Sequence, residues 1–292
     1  MLYNSYMKQE NKKVGLLGAI SIGIGGMVGG GIFAVLGEAV SLAHGATYIA
    51  FLVAGIVALL TAYSYAKLSV TFQNRGGTVV FINKAFSHKL LSGSVNVLLW
   101  LSYLVTISLY ASAFSSYGQT FFHGISKEWL GHILISVAII LPALINLVSS
   151  SFVSKSESFI VSIKIILLLV IIVSGISYVD TARISASQWE SPLAIVSAGM
   201  IIFVAYEGFE LIANSAEEIK EPNKNLPRAF YGSVIFVIVL YVLISIVTVG
   251  AVDETQLINA KDYALAVAAT CLRSVGVYHR CYCGTAVYFF SH

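Results

Sequence analysis

Charged residues are scarce in this sequence: Asp, Glu, Lys and Arg together make up 11% of its 292 residues. A soluble globular domain carries about 25% charged residues, so this chain lacks the side chains needed to cover a water-facing surface. Hydrophobic residues instead make up 58% of the chain. The composition therefore predicts an integral membrane protein that is all-α.

The apolar segments also lack the residue patterns of common enzymes and channels. They contain no HExxH sequence, no nucleophile motif, no repeated pore motif and no ring-forming acidic segment. The only cysteines are Cys271, Cys281 and Cys283, and their spacing is not the usual spacing of zinc ligands. We therefore expect no enzymatic activity, no metal, no cofactor and no nucleic-acid partner, and a channel is the weaker alternative to a transporter.

Seven segments have the length of about 20 apolar residues that crosses the core of a bilayer. The predicted spans are 14–40, 46–70, 94–121, 131–150, 156–178, 192–214 and 229–251. A short amphipathic stretch, 74–86, separates the second span from the third. It is either a cytoplasmic interfacial or re-entrant helix or an ordinary loop, because short apolar runs are ambiguous.

Lys and Arg are distributed unevenly between the two predicted faces of the membrane. With the N-terminus in the cytoplasm, eleven of them lie inside and three outside before residue 270, as the positive-inside rule requires. The inner residues are Lys8, Lys12, Lys13, Lys67, Arg75, Lys84, Lys89, Lys155, Lys220, Lys224 and Arg228, and the outer residues are Lys127, Arg183 and Lys261. We expect a multi-pass protein of the cell membrane with a cytoplasmic N-terminus.

Glycine is concentrated in the first span, where residues 23–33 read GIGGMVGGGIF. Close helix packing needs one row of small residues, whereas these glycines lie on several helix faces, so a local unwinding explains them better. Unwound backbone at membrane depth occurs where it is buried in protein or lines a polar cavity. The N–H groups near Gly29, Gly30 and Gly31 would suit a carboxylate, and the carbonyls near Gly23–Ile24 would suit a cation.

The sixth span contains a second candidate break, FVAYEGFE at 203–210, in which Glu207 and Glu210 flank Gly208. Ionisable residues at membrane depth are costly and usually functional. The alternatives are that one glutamate reaches the interface or that both cap a kink. Interruptions in the first and sixth spans match an inverted-repeat transporter, whose site lies between two discontinuous helices.

Lys164 stands alone among aliphatic residues in the fifth span, about nine residues and roughly 13 Å along the helix from Lys155. One interpretation is a lysine that reaches the cytoplasmic headgroups. The other is a proton-carrying cation beside the carbonyls freed by the break in the first span.

The glycine-rich motif, together with AYEGFE and the following AEEIKEPNKNLPRAF (216–230), resembles the amino acid–polyamine–organocation transporters. The resemblance runs from about residue 12 to residue 269. It implies a 5+5 inverted-repeat fold with broken helices 1 and 6, and an amino acid or related amine as substrate. Some relatives bind sodium and others carry a lysine at that position, so the resemblance at Lys164 favours proton coupling.

The resemblance also implies roles for individual residues. The substrate carboxylate, amine and side chain would be held around Gly26, Met27, Gly29, Gly30, Gly31, Phe203, Ala205, Tyr206 and Gly208. Structural and gating roles fall to Gly23, Ile24, Glu207, Glu210, Glu217 and Glu218, and the last two would form a cytoplasmic network with Lys220 and Arg228.

The composition changes abruptly at Thr270, where Arg, His and Cys interrupt the apolar pattern. We expect a frameshift or truncation here. When the tail is translated back into possible codons, a reading frame shifted by one nucleotide permits an apolar run of membrane-spanning length. A genuine short tail and a Cys/His metal cluster are the alternatives. The predicted regions are a cytoplasmic tail (1–13), a partial transporter domain (14–251), an extracellular loop (252–269) and an aberrant tail (270–292). The second repeat would then be incomplete and transport weak or absent, so a membrane scaffold or regulatory fragment that binds another permease is the alternative function.

Overall fold

A computed structural model describes residues 14–122, 126–148 and 150–278, without the side chains of residues 148, 150–158 and 272–278. Within these ranges the secondary structure is helical and no strand forms. Six helices are long and apolar enough to cross a membrane, and one bent pair of helices makes a seventh span. The predicted all-α membrane architecture is confirmed.

The helices follow the predicted spans closely. In chain order they are α1 (Leu16–Met27), α2 (Gly31–Ala43), α3 (Thr47–Thr71), α4 (Gly77–Ala85), α5 (Lys89–Gln119), α6 (Lys127–Val148), α7 (Ser150–Gly175), α8 (Pro192–Ile202), α9 (Leu211–Asn214), α10 (Pro222–Ala251), α11 (Glu254–Asn259) and α12 (Ala264–Tyr278). The first span is α1 with α2, and the sixth runs from α8 to α9. The short α4 is a helix, so the loop interpretation of 74–86 is wrong.

The first and sixth spans are interrupted in different ways. Between α1 and α2 the chain bends by 47° at Val28, Gly29 and Gly30. The sixth span instead passes through a 3-10 segment, Phe203–Glu210, and such segments rarely exceed three or four residues. Its backbone stays right-handed helical at both ends, so this interruption is a tighter winding and not the unwound stretch found in the first span.

The core lies among the first, second, sixth and seventh spans. In the most apolar 18-residue segment of the seventh span, 56% of the residues are buried inside the protein. The corresponding share is 6% in the third span, 11% in the fourth and 17% in the fifth. The third, fourth and fifth spans therefore lie at the periphery, with apolar side chains directed outward. The two interrupted spans are in the centre, where unpaired backbone groups can find protein partners.

The region after the seventh span differs from the predicted loop. Residues 252–269 contain α11, a 3-10 turn at Lys261–Tyr263 and the beginning of α12. Because α12 continues to Tyr278, it crosses the predicted boundary at residue 270 without interruption. The predicted tail 1–13 and residues 279–292 lie outside the described ranges.

Candidate functional site

The break in the first span exposes the beginning of α2 inside the protein. Gly30 is the N-cap of α2 and Gly31 is its first residue. Within the described ranges, the N–H groups of Gly29, Gly30 and Gly31 donate no hydrogen bond. The first N–H groups of a helix have no partner within the helix and form its positive dipole end. This group of donors is chemically suited to an anion such as a carboxylate.

A cationic side chain lies on the carbonyl side of the same break. The half-buried Lys164 of α7 donates a hydrogen bond to the Gly29 carbonyl oxygen, with 3.0 Å between Nζ and O. Gly23 and Ile24 lie within α1, which continues to Met27, and the Ile24 carbonyl accepts a hydrogen bond from the Val28 N–H. The carbonyl beside the cation therefore belongs to the break itself and not to the predicted pair one turn earlier.

The two interrupted spans touch through their backbones. A Cβ added to Gly26 would lie 2.9 Å from the Gly208 carbonyl carbon, and a Cβ added to Gly31 would lie 2.6 Å from the Ala205 Cα. Only glycine allows such an approach, because any side chain would occupy the space of the opposing main chain. Four of the predicted substrate-binding residues thus form the crossing point of the two spans.

Tyr241 of the seventh span connects both interruptions, although it was not among the predicted site residues. Its hydroxyl donates to the Met27 carbonyl at 2.7 Å and lies 3.5 Å from the Ala205 carbonyl oxygen. The ring is fully buried. A lone tyrosine in the aliphatic run FVIVLYVLIS was the available signal, because a buried Tyr hydroxyl usually requires a partner.

The predicted aromatic residues have different environments. Phe203 is half-buried, whereas Tyr206 is fully buried, and its hydroxyl donates to the Phe51 carbonyl at 3.1 Å. The Tyr206 hydroxyl therefore attaches the sixth span to the second, and the residue is enclosed by protein. Tyr110, which was not predicted, lies over Gly30: a Cβ added there would be 2.7 Å from the ring.

Glu210 lies at the end of the 3-10 segment among hydroxyl groups from three other helices. Tyr103 donates to one carboxylate oxygen at 2.6 Å, and Thr78 and Tyr65 donate to the other at 3.2 and 3.4 Å. The carboxylate thus links the sixth span to α3, α4 and α5. Glu207 is half-buried and, in the described part of the chain, makes no hydrogen bond or ion pair that would give it a comparable structural role.

At the end of the bundle predicted to lie inside, an ion-pair group connects two elements. Arg75 contacts Glu217 at 3.3 Å and Glu218 at 3.1 Å, so these glutamates join the connection after the second span to that after the sixth. Lys220 and Arg228 form no ion pair among the described residues, which differs from the predicted network. The Lys220 N–H instead donates to the Val14 carbonyl at 2.9 Å.

The opposite end of the bundle is also joined across several elements. His44, directly after α2, contacts Glu254 of α11 and lies 3.5 Å from Glu190, which precedes α8. Lys261 contacts Glu38 at 3.2 Å. The first span is therefore attached to other elements at both ends.

Comparisons with known proteins identify the family of the chain. A sequence profile described as amino acid permease matches residues 14–287, which extends past residue 269, where we expected the resemblance to end. The inner membrane transport protein YbaT of Escherichia coli is 35% identical over 92% of this chain and 63% of its own length. The cationic amino acid transporter 9, chloroplastic, of Arabidopsis thaliana is 30% identical over 91% of this chain and 50% of its own length.

A third relative is the glutamate/serine transporter AimA of Bacillus subtilis, 27% identical over 88% of this chain and 51% of its own length. The chain thus spans between 50% and 63% of the length of these relatives. The profile match covers most of the chain, and both interrupted spans lie within it. This chain belongs to the amino acid permease family.

Proposed function

We propose that this chain serves in secondary active transport of an amino acid, coupled to protons by symport, as a multi-pass protein of the cell membrane with a cytoplasmic N-terminus. The substrate carboxylate binds the N–H groups of Gly29, Gly30 and Gly31. The substrate amine and side chain lie near Phe203 and Gly208, where the sixth span crosses the first.

The hydrogen bond from Lys164 to the Gly29 carbonyl carries the proton-coupling part of the proposal. It connects a titratable side chain to the peptide unit next to the proposed carboxylate donors. Loss of the proton converts the lysine from a cation to a neutral amine, which weakens its hold on the carbonyl. Proton binding at Lys164 and substrate binding at Gly29–Gly31 would therefore influence each other through a few backbone atoms.

The names of the relatives support the substrate class. The matched profile is described as amino acid permease, and the relatives include a cationic amino acid transporter and a glutamate/serine transporter. Their named substrates differ in side-chain charge but share the α-amino and α-carboxylate groups. A site built from backbone donors suits this shared part of the substrates.

Uptake into proteoliposomes tests the proposal. The purified chain is reconstituted, and accumulation of a panel of radiolabelled amino acids is followed with and without an inwardly directed proton gradient. We expect the gradient to stimulate uptake by the wild-type chain and to have no effect on Lys164→Ala. Lys224→Ala is the matched control, because among the described residues its exposed ammonium pairs only with Glu221, 3.4 Å away.

The outcomes separate the parts of the proposal. Unchanged gradient stimulation in Lys164→Ala would refute the coupling role of this lysine. Equilibrium binding of an amino acid without uptake in any condition would favour the scaffold alternative, and absence of both binding and uptake would contradict the transport proposal as a whole.

A further inference from the structure

The connection between the second and third spans has no negative charge of its own. From residue 39 to residue 127 the chain contains no Asp or Glu. Within this acid-free stretch, four basic residues lie in or next to α4. In chain order they are near the end of α3, in the connection before α4, in the last turn of α4 and at the beginning of α5. They are Lys67, Arg75, Lys84 and Lys89.

Three of these four basic residues lack an acidic partner. Arg75 is neutralised by Glu217 and Glu218. Among the described residues, Lys67, Lys84 and Lys89 lie in no ion pair, and Lys67 instead lies over the Tyr63 ring, with 5.7 Å from Nζ to the centroid. The positive charges of these three lysines are therefore not paired with acidic side chains of the described chain.

The position of α4 is fixed by contacts on its inner side. The buried Phe81 packs against Tyr65 and Phe72, with ring centroids 5.9 and 6.5 Å apart. The Asn83 side chain accepts hydrogen bonds from Ser92 and Asn96 at the beginning of the third span. These contacts hold α4 between the end of the second span and the beginning of the third, where we expect the lipid headgroups.

The residues after Asn83 are exposed and include both basic and apolar side chains. Lys84, His88 and Lys89 are exposed, and the apolar Phe86 and Leu90 between and after them are 39% and 86% exposed. An exposed segment that combines lysines with large apolar side chains is typical of a membrane interface, where the ammonium groups meet headgroups and the apolar groups enter the acyl region.

We propose that segment 84–90 is a docking surface for the headgroup of an anionic phospholipid. Lys84 and Lys89 contact the phosphate, Phe86 and Leu90 lie against the glycerol and upper acyl chains, and Lys67 adds to the positive field. Basic residues next to membrane spans attract anionic lipid with about 1 kcal/mol for each Lys or Arg. The exposed apolar side chains favour a lipid over a soluble acidic protein.

Binding of a lipid at this surface would affect the interrupted sixth span, because α4 contacts both. Thr78, in the first turn of α4, donates to Glu210 at the end of the 3-10 segment. A lipid that holds the C-terminal end of α4 therefore restrains a helix that contacts this carboxylate. The proposal itself concerns binding, and it stands whether or not the chain transports an amino acid.

Binding of a fluorescent phosphatidylglycerol to the purified full chain in neutral detergent tests the proposal. Phosphatidylcholine with the same acyl chains is the reference lipid. At low salt we expect the double variant Lys84→Gln/Lys89→Gln to bind phosphatidylglycerol about 30-fold more weakly than the wild type, since two lysines contribute about 1 kcal/mol each. Lys84→Arg/Lys89→Arg should retain binding.

The matched control is Lys224→Gln, which removes one exposed lysine from the same predicted face but one that pairs with Glu221. The wild type measured from low to high salt adds a test that needs no variant, because surface charge attraction is screened at high ionic strength. Preference for phosphatidylglycerol that falls with salt supports the proposal. Equal affinity for the two lipids, salt-insensitive binding, or equal losses in the double variant and the control would overturn it.

Discussion

The crossing of the two interrupted spans depends on Gly26 and Gly208, whose backbones meet without an intervening side chain. At this crossing the helices approach more closely than any other residue would allow. Gly93 provides the contrast: it lies within α5 with no atom near the position of an added Cβ. Glycine at position 208 is therefore a requirement of packing, whereas at position 93 it only lowers helix propensity.

Gly208→Ala should lower the stability of the purified chain by about 1–3 kcal/mol, because the added methyl group would force the first and sixth spans apart. Gly93→Ala should be neutral or stabilising by up to about 1 kcal/mol. Thermal unfolding in detergent, followed by tryptophan fluorescence, measures both. Equal midpoints for the two variants would mean that the backbone contact does not constrain the structure.

Tyr241→Phe isolates the hydrogen bond that the seventh span makes to the break. The variant keeps the ring but leaves the Met27 carbonyl without its donor, and an unpartnered buried polar group costs about 1–3 kcal/mol. We expect a lower thermal midpoint than in Tyr63→Phe, where the ring is 54% exposed. A Tyr241→Phe chain as stable as the control would show that another group satisfies this carbonyl.

At the scale of elements, α11 depends on a side-chain cap at its N-terminus. The Asp253 carboxylate accepts hydrogen bonds from the Thr255 hydroxyl and, at 3.0 Å, from the Thr255 N–H. The hydroxyl contact is the largest influence that lowers the pKa of Asp253, and the N–H and the nearby Arg183 act in the same direction. The charged form is therefore favoured in the folded chain.

A lowered pKa in the folded state sets the direction of the pH dependence. The stabilisation by the cap is fully present above the ordinary Asp value of about pH 4 and is lost as the pH falls through the lowered folded value. The difference in thermal midpoint between the wild type and Asp253→Ala should thus be constant above about pH 4 and shrink below it. A difference that grows on acidification would contradict this assignment.

The long elements could be predicted from the sequence because each is an apolar run of bilayer length, and the observed helices begin and end within several residues of the predicted spans. The break in the first span followed from its glycines. The 3-10 winding at Phe203–Glu210 and the helices α11 and α12 did not follow, because they depend on tertiary contacts that sequence spacing does not reveal.

The site could be predicted only in part for the same reason. Clustered glycines indicate where backbone groups are free of helical hydrogen bonds, and a lone lysine among aliphatic residues indicates a charge at membrane depth. Gly29 and Lys164 were therefore both predicted as site residues. Sequence spacing does not show which distant helices contact the break in the first span. Tyr241 and Tyr110, which lie on two such helices, were therefore not predicted. Tyr206 was assigned to the pocket by resemblance to the family, and its hydrogen bond to Phe51 depends on how the sixth span is rotated about its axis.

At the scale of the whole molecule, different groups of charges connect the elements at the two ends of the bundle. Arg75 joins Glu217 and Glu218 at one end, and His44 joins Glu190 and Glu254 at the other. The first span contacts both ends and is bent between them. Any rearrangement that opens one end can therefore leave the attachments of the other end intact.

Cysteine labelling tests which end faces the cytoplasm. In a chain whose native cysteines are replaced, we expect Lys220→Cys to react only after the membrane is permeabilised. Glu254→Cys should react in intact cells with a membrane-impermeant maleimide. The two positions lie at opposite ends of the bundle, so each serves as the control of the other, and the reverse pattern of labelling would overturn the predicted topology.

The side chains that hydrogen-bond to the break in the first span are synthesised long after it, which constrains how the span inserts into the membrane. Lys164 and Tyr241 follow their backbone partners in the first span by 135 and 214 residues. At a synthesis rate of about 5–20 residues per second, the last of these partners emerges roughly 10 to 40 s after the glycines. During that interval the nascent first span enters the bilayer before any residue that satisfies its bend has been made. It must therefore remain straight and fully helical, or stay sheltered by the insertion machinery, until the seventh span arrives.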